Sequence, residues 1–224
     1  RKSHQLSASA EDYQNFADEF GFDVTPDQGI AIEETLRDMA AEQAMDRLVC
    51  GDVGFGKTEV AMRAAFTAVQ SAKQVILLVP TTLLAQQHYD SFRDRFANWP
   101  ISIDVVSRQR SQQETDDISA RCRSGNIDIL IGTHKLINPE FKYKDLGLVI
   151  IDEEHRFGVR QKERLRAMRA EVDVLTLTAT PIPRTLNMSL SGLRDLSIIA
   201  TPPAKRLSIK TFVQPRRDHN IKEA

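Results

Sequence analysis

Short apolar runs and segments of helical period alternate along the chain. Seven runs have the length of strands: 47–50, 75–79, 101–106, 127–131, 146–151, 174–178 and 196–199. Between them apolar residues return every three or four positions, the mark of helices with one buried face. Such alternation predicts a mostly parallel, twisted sheet, because parallel strands need crossovers and helices supply them on both faces. Leu148-Val149-Ile150-Ile151 carries no polar alternation, so this run is expected to be a central strand buried on both sides.

Start signals punctuate the helices. Ser9-Ala10-Glu11-Asp12 resembles a capping box and precedes Tyr13, Phe16, Ala17 and Phe20, which share one helical face. Thr25-Pro26-Asp27-Gln28 sets a cap before a proline at the first helical position, with Gln28 three residues after the cap. Ser111-Gln112-Gln113-Glu114 repeats the signal ahead of a segment ending near Arg123. Thr201-Pro202-Pro203-Ala204 is the expected domain edge, with a short extended stretch at 207–213 beyond it.

The 224 residues suffice for one substantial α/β domain and fall short of two of ordinary size. A hydrophobic share of 41% and a charged share of 27% exclude a disordered or fibrous chain. Lys and Arg number 30 against 31 Asp and Glu, so any attraction to nucleic acid must come from a local patch. Arg156, Arg160, Lys162, Arg164, Arg166 and Arg169 form the densest basic run, read as a solvated helix face or a weak DNA or partner surface. Cys50 and Cys122 are too few for a disulfide framework and lack metal-like spacing. No stretch approaches the roughly 20 apolar residues of a membrane span. With no signal-peptide pattern either, a cytoplasmic location is expected. The chain starts without Met at Arg1 and stops at Ala224, as a piece of a longer protein would.

Chemistry concentrates at two strand ends. Gly51-Asp52-Val53-Gly54-Phe55-Gly56-Lys57-Thr58 fits the P-loop pattern in full, with a strand before it and a helix after it. The glycines let successive N–H groups turn inward at a helix N-terminus, where they cradle phosphates. Lys57 would add a full charge at the β/γ-phosphates, and the Thr58 hydroxyl would ligate Mg²⁺. Asp152-Glu153-Glu154-His155 follows the most apolar strand, and ligands of open α/β sheets bind beyond such carboxyl ends. Asp152 suits a water-mediated metal ligand, and Glu153 a base for the attacking water. Glu154 and His155 serve equally well as a solvated helix start.

Together with Thr178-Ala179-Thr180-Pro181, these segments resemble motifs I, II and III of superfamily 2 helicases and translocases. The flanks, 152–159 and 180–186, are similar in kind to two bacterial groups, the RecG-type helicases and the transcription-repair coupling factors. The stretches 45–50, 54–61 and 96–100, and Glu154 where RecG-type proteins usually have Gln, resemble the coupling factors more closely.

The resemblance spans about 22–211 and implies a first RecA-like lobe of an ATP-driven double-stranded-DNA translocase. It implies an N-terminal helical extension at 1–21, the ATP-binding lobe at 22–200, and a linker at 201–224 toward a second RecA-like lobe. Full-length members push stalled RNA polymerase forward and recruit nucleotide excision repair. By the same resemblance Gln28, at the end of 22–28, would bond the adenine edge, although closing a capping box explains it too. Thr81, Thr82 and Gln86 look like motif Ia, Thr133 and His134 like the next DNA-contacting motif, and Arg108 sits where another backbone contact is expected. Plain helix capping accounts for the hydroxyls as well. His155, Thr178, Thr180 and Arg184 would couple the ATP state to DNA grip.

The resemblance also places an arginine finger on the second lobe, and such a finger is worth roughly 10³–10⁵ in rate. The isolated chain is therefore expected to bind ATP·Mg²⁺ weakly, hydrolyse it poorly and not translocate. A RecG-like fork remodeller, a nucleotide-gated binding module and a small-molecule kinase are the competing readings. The kinase leaves Thr178-Ala179-Thr180-Pro181 unexplained.

Overall fold

Each of the seven apolar runs forms a strand in the computed structural model, which describes residues 5–106, 111–138, 141–169, 171–180 and 195–203. The strands are β1 (Asp46–Gly51), β2 (Gln74–Leu78), β3 (Ile103–Val106), β4 (Ile129–Gly132), β5 (Leu146–Asp152), β6 (Asp173–Thr178) and β7 (Asp195–Ile199). The helices are α1 (Ala10–Asp18), α2 (Pro26–Met39), α3 (Lys57–Gln70), α4 (Thr82–Arg95), α5 (Gln112–Ser124) and α6 (Val159–Met168). β3 and β4 begin two residues later than their apolar runs. Asp128 N–H donates to the Ser102 carbonyl, while Ser102 N–H donates to the Asp128 carboxylate, and this reciprocal pair precedes the ladder.

Every strand pairing is parallel, in the order β3-β4-β2-β5-β6-β1-β7. β5 lies in the middle, as an apolar run without alternation requires. Its pleat divides the core in two. Leu148 and Ile150 join the cluster that includes residues of α1 to α4, and Val149 and Ile151 join the one with α5 and α6.

The start signals act locally as expected. Ser9 caps α1 through the Asp12 N–H, and both Thr25–Gln28 and Ser111–Glu114 close reciprocal capping boxes. α3 is buried continuously from Glu59 to Ala68 and forms the central pillar of its face. α1 lies on it, with Phe16 stacked on Phe66 at 4.2 Å. Arg95 of α4 then closes over Phe16 at 3.8 Å, donates to its carbonyl at 2.7 Å and pairs with Glu59 of α3 at 3.1 Å. Glu59 also pairs with Arg63 at 2.9 Å, so these charges are buried only in company.

Beyond β7 the chain is held by Asp27 of α2. Its carboxylate accepts from the Thr201 hydroxyl and from the Ala200 and Thr201 amides, bonds that lower its pKa below the usual carboxylate value. The expected extended stretch at 207–213 lies outside the described residues.

Candidate active site

The sheet order explains why motifs far apart in sequence meet. β5, β6 and β1 are neighbours, so the loop after β1, the acids after β5 and the turn after β6 emerge side by side on one rim. Adjacent strands lie roughly 4.8 Å apart, which puts the P-loop and the acids about two strand spacings from each other. A cleft of about 740 Å³ opens between them, lined in part by Gly54, Lys57, Thr58, Asp152, Glu153 and Thr180.

The P-loop leaves β1 at Gly51 and turns into α3. Gly54 and Gly56 have φ of 80° and 79°, left-handed backbone that glycine adopts without a Cβ penalty. Asp52 Oδ1 accepts the Val53 N–H, and the Asp52 carbonyl accepts the Phe55 N–H, which fixes the curl. The Lys57 ammonium donates to the Gly51 and Asp52 carbonyls at 2.6 and 3.0 Å. Burial lowers its pKa, and the charges of Asp152 and Glu153 offset that only in part. Those carboxylates therefore stand close enough to feel the ammonium.

Gln28 sits behind the loop, only 2% exposed. Its Oε1 accepts the Thr25 N–H at 2.9 Å, and its Nε2 donates to the Phe55 carbonyl at 2.8 Å. Both ends of the amide thus engage protein, closing the capping box on one side and bracing the P-loop on the other. An adenine contact by this side chain would have to exchange one of these bonds.

On β5 the chain ends at Asp152, and Glu153 then takes left-handed backbone, φ 55°. That twist turns its carboxylate sideways. Oε1 accepts the Ala179 N–H at 2.8 Å, and Oε2 lies 3.1 Å from His155 Nδ1. Thr178 Oγ1 accepts the Thr180 N–H, and the Thr180 carbonyl meets the Cys50 thiol at 3.2 Å. The turn after β6 is therefore tied both to the acids and to the P-loop strand. Glu154 faces elsewhere and pairs with Arg169 at 2.8 Å.

The remaining candidates occupy the other half of the rim. Thr81 caps α4 just beyond β2 and is exposed, as is Gln86, while Thr82 is half-buried. Thr133 follows β4 and His134 opens a short 3-10 turn, both half-buried. β4 and β2 are adjacent, so these two groups are neighbours, beside the nucleotide half rather than within it. Arg108 and Arg184 lie outside the described residues. In the basic run Arg156, Arg160, Lys162, Arg164 and Arg166 are exposed, but Arg169 is half-buried and paired.

One residue of the cleft carries no signal in the sequence. His88, in the middle of α4, lines it and places Nε2 3.0 Å from Asp152 Oδ2. A single histidine on a helix gives pattern reasoning nothing to hold. Only the seat of α4 against the end of β5 brings the two together.

The donor set fits Mg²⁺. Among the described residues no three His, Cys, Asp or Glu side chains converge as a metal cage. Mg²⁺ is commonly held by one or two carboxylates together with phosphate oxygens and water, and Thr58 and Asp152 face one cleft in that manner.

Comparison with known proteins agrees with this geometry. Residues 25–189 match the DEAD/DEAH box helicase family. The chain is 68% identical over 214 residues to the transcription-repair-coupling factor of Escherichia coli, covering 96% of this chain and 19% of that protein. It is 59% identical over 224 residues to the coupling factor of Haemophilus influenzae, covering 100% and 20%. The chain thus spans about a fifth of the length of these relatives. Among solved structures, RecG bound to a three-way DNA junction superposes with a TM-score of 0.84 at 33% identity, over 99% of this chain and 30% of that one. The Hef helicase domain of Pyrococcus furiosus shares the fold, with a TM-score of 0.56 at 20% identity over 78% of this chain and 37% of that one. The sheet is that of a RecA-like helicase lobe, and the family match covers well over half of the chain. The chain belongs to the DEAD/DEAH box helicase family.

Proposed function

We propose that this chain is the ATP-binding lobe of a motor that moves along double-stranded DNA, within a transcription-repair coupling factor. One observation carries the reading: Lys57, Thr58, Asp152 and Glu153 line a single cleft, and Glu153 is bonded to the turn that follows β6. The P-loop amides and the Lys57 ammonium bind the triphosphate of ATP. Thr58 and Asp152 would hold Mg²⁺, which would supply positive charge against that of the triphosphate. Glu153 orients the attacking water and accepts its proton. His155 steadies the second oxygen of that carboxylate, and Thr178 and Thr180 shape the turn that senses it.

Thr81, Thr82, Gln86, Thr133 and His134, with Arg108 and Arg184 beyond the described segments, meet the DNA backbone or relay its grip. Such contacts are independent of sequence and sensitive to salt. A second RecA-like lobe supplies the arginine that completes the site. RNA polymerase and the nucleotide excision repair machinery are the partners this reading assigns to the full-length protein.

Two measurements on the full-length protein test the proposal. Duplex DNA should stimulate ATP hydrolysis, and ATP should drive displacement of a third strand from a triplex. Glu153→Gln should abolish both while ATP still binds. A protein that binds ATP but shows neither activity is a nucleotide-gated module. The RecG-like reading draws on the 0.84 superposition, and it predicts preference for branched over linear duplex.

A further inference from the structure

We infer that His88 is a positioning residue for Asp152, and that through it α4 carries DNA contact to the metal-binding carboxylate. The inference rests on the motor reading above. α4 faces two ways. Thr81 and Gln86 are exposed at its N-terminal end on the DNA half of the rim, while Leu84 and His88, one turn apart, line the nucleotide cleft. His88 Nε2 lies 3.0 Å from Asp152 Oδ2, and both side chains are largely shielded, at 13% and 16% exposure. With its proton on Nε2 the ring donates, which fixes one carboxylate oxygen and the direction in which the other can face. Phe92, one turn further along, sets its ring edge-on to the imidazole at 6.5 Å and limits its rotation.

The two ends of α4 are seated differently. Arg95 in its last turn bonds the Phe16 carbonyl and pairs with Glu59 of α3, while between Thr82 and His88 only Ala85 is fully buried. The lightly held N-terminal half can tilt about that anchor when its capped end engages a phosphate backbone. His88 would move with it, and Asp152 would follow. Groups that orient a metal ligand without touching the metal typically govern affinity or rate by roughly 10–100-fold.

The test uses the full-length protein with His88→Phe, which keeps the ring against Phe92 but removes the donor, and His88→Gln, whose amide can replace it. Binding of a fluorescent ATP analogue is titrated against Mg²⁺, with and without duplex DNA, alongside kcat and KM for ATP. For His88→Phe the half-saturating Mg²⁺ concentration should rise at least ten-fold and the DNA stimulation of kcat should collapse. Analogue binding in EDTA should stay unchanged, and His88→Gln should recover most of the loss. A His88→Phe protein with wild-type Mg²⁺ dependence and wild-type DNA stimulation overturns the inference. So does an equal loss of analogue binding in EDTA, which would mark a merely structural residue. A wild-type protein that ignores DNA altogether overturns the motor reading instead.

Discussion

Glu153 Oε1 accepts the backbone N–H of Ala179 at 2.8 Å, joining the acids after β5 to the turn after β6. Glu153 holds that bond from left-handed backbone, a conformation that costs a non-glycine residue roughly 1–3 kcal/mol. The surrounding bonds sustain it: its own N–H donates to the Leu177 carbonyl, and Thr178 and Cys50 hold Thr180. In the proposed motor, a change at the nucleotide that pulls on this carboxylate would therefore pull on the turn after β6.

Replacing Glu153 by Gln separates chemistry from scaffold. The amide oxygen can still accept the Ala179 N–H, but the side chain can no longer take a proton. We expect kcat for ATP to fall by about 10²–10⁴ with KM nearly unchanged, measured as phosphate release by the full-length protein on duplex DNA. A parallel loss of ATP affinity would show that the carboxylate shapes the cleft rather than acts on water.

Gly56 tests how the P-loop is braced. A Cβ there would come within 2.2 Å of Gln28 Nε2, and φ is already 79°. Gly56→Ala should therefore cost about 1–2 kcal/mol from the backbone alone, and more from displacing Gln28 off the Phe55 carbonyl. Gln28→Ala in the same chain removes the collision and should restore part of the stability, but not all of it. Urea unfolding of the two single variants and the double variant checks this. Full recovery in the double variant would mean the backbone term is negligible.

The contrast between Lys57 and His88 shows what the sequence could carry. Lys57 belongs to a local pattern of eight residues in which Gly54 and Gly56 take left-handed backbone, so the candidate cleft was legible from the chain itself. The parallel sheet and its central strand were legible for a similar reason, because burial on both faces leaves no polar alternation in 148–151. His88 and Asp152 are 64 positions apart, and no local rule links them. The same holds for Arg95 and Glu59, 36 apart, whose pairing ties α4 to the pillar helix α3. Gln28 was legible as a cap, but its bond to Phe55, 27 residues on, was not. Arg169 illustrates the opposite error of pattern. It belongs to a basic run by spacing, yet a half-buried Glu154 claims it.

Arg95 should be the main anchor of α1. Arg95→Ala removes the pair with Glu59, the bond to the Phe16 carbonyl and the cation over the Phe16 ring at once. Breaking a buried pair typically costs 3–5 kcal/mol, and because Arg63 still accompanies Glu59 we expect about 3 kcal/mol. Denaturant unfolding gives the total, and limited proteolysis should show cleavage moving to the neighbourhood of α1. A loss below about 1 kcal/mol would place Arg95 among ordinary surface pairs.

Lys57 should set stability and activity against each other. Burial lowers its pKa below the ordinary 10.5, outweighing the attraction of Asp152 and Glu153. Across the window from the folded pKa up to 10.5 the unfolded chain binds the proton more readily than the folded one, so stability rises with pH there. Below that window the charged ammonium is a constant burden on the fold. Lys57→Met removes the charge, so its Tm at neutral pH should be no lower than that of the wild type, and its stability should rise less steeply as pH approaches 10.5. ATP binding should nevertheless be lost, since the phosphates lose their only lysine within the P-loop segment. Thermal unfolding across alkaline pH, paired with a nucleotide-binding titration, checks both halves. A clear drop in Tm would mean that the bonds from the ammonium to the Gly51 and Asp52 carbonyls outweigh the burial of its charge.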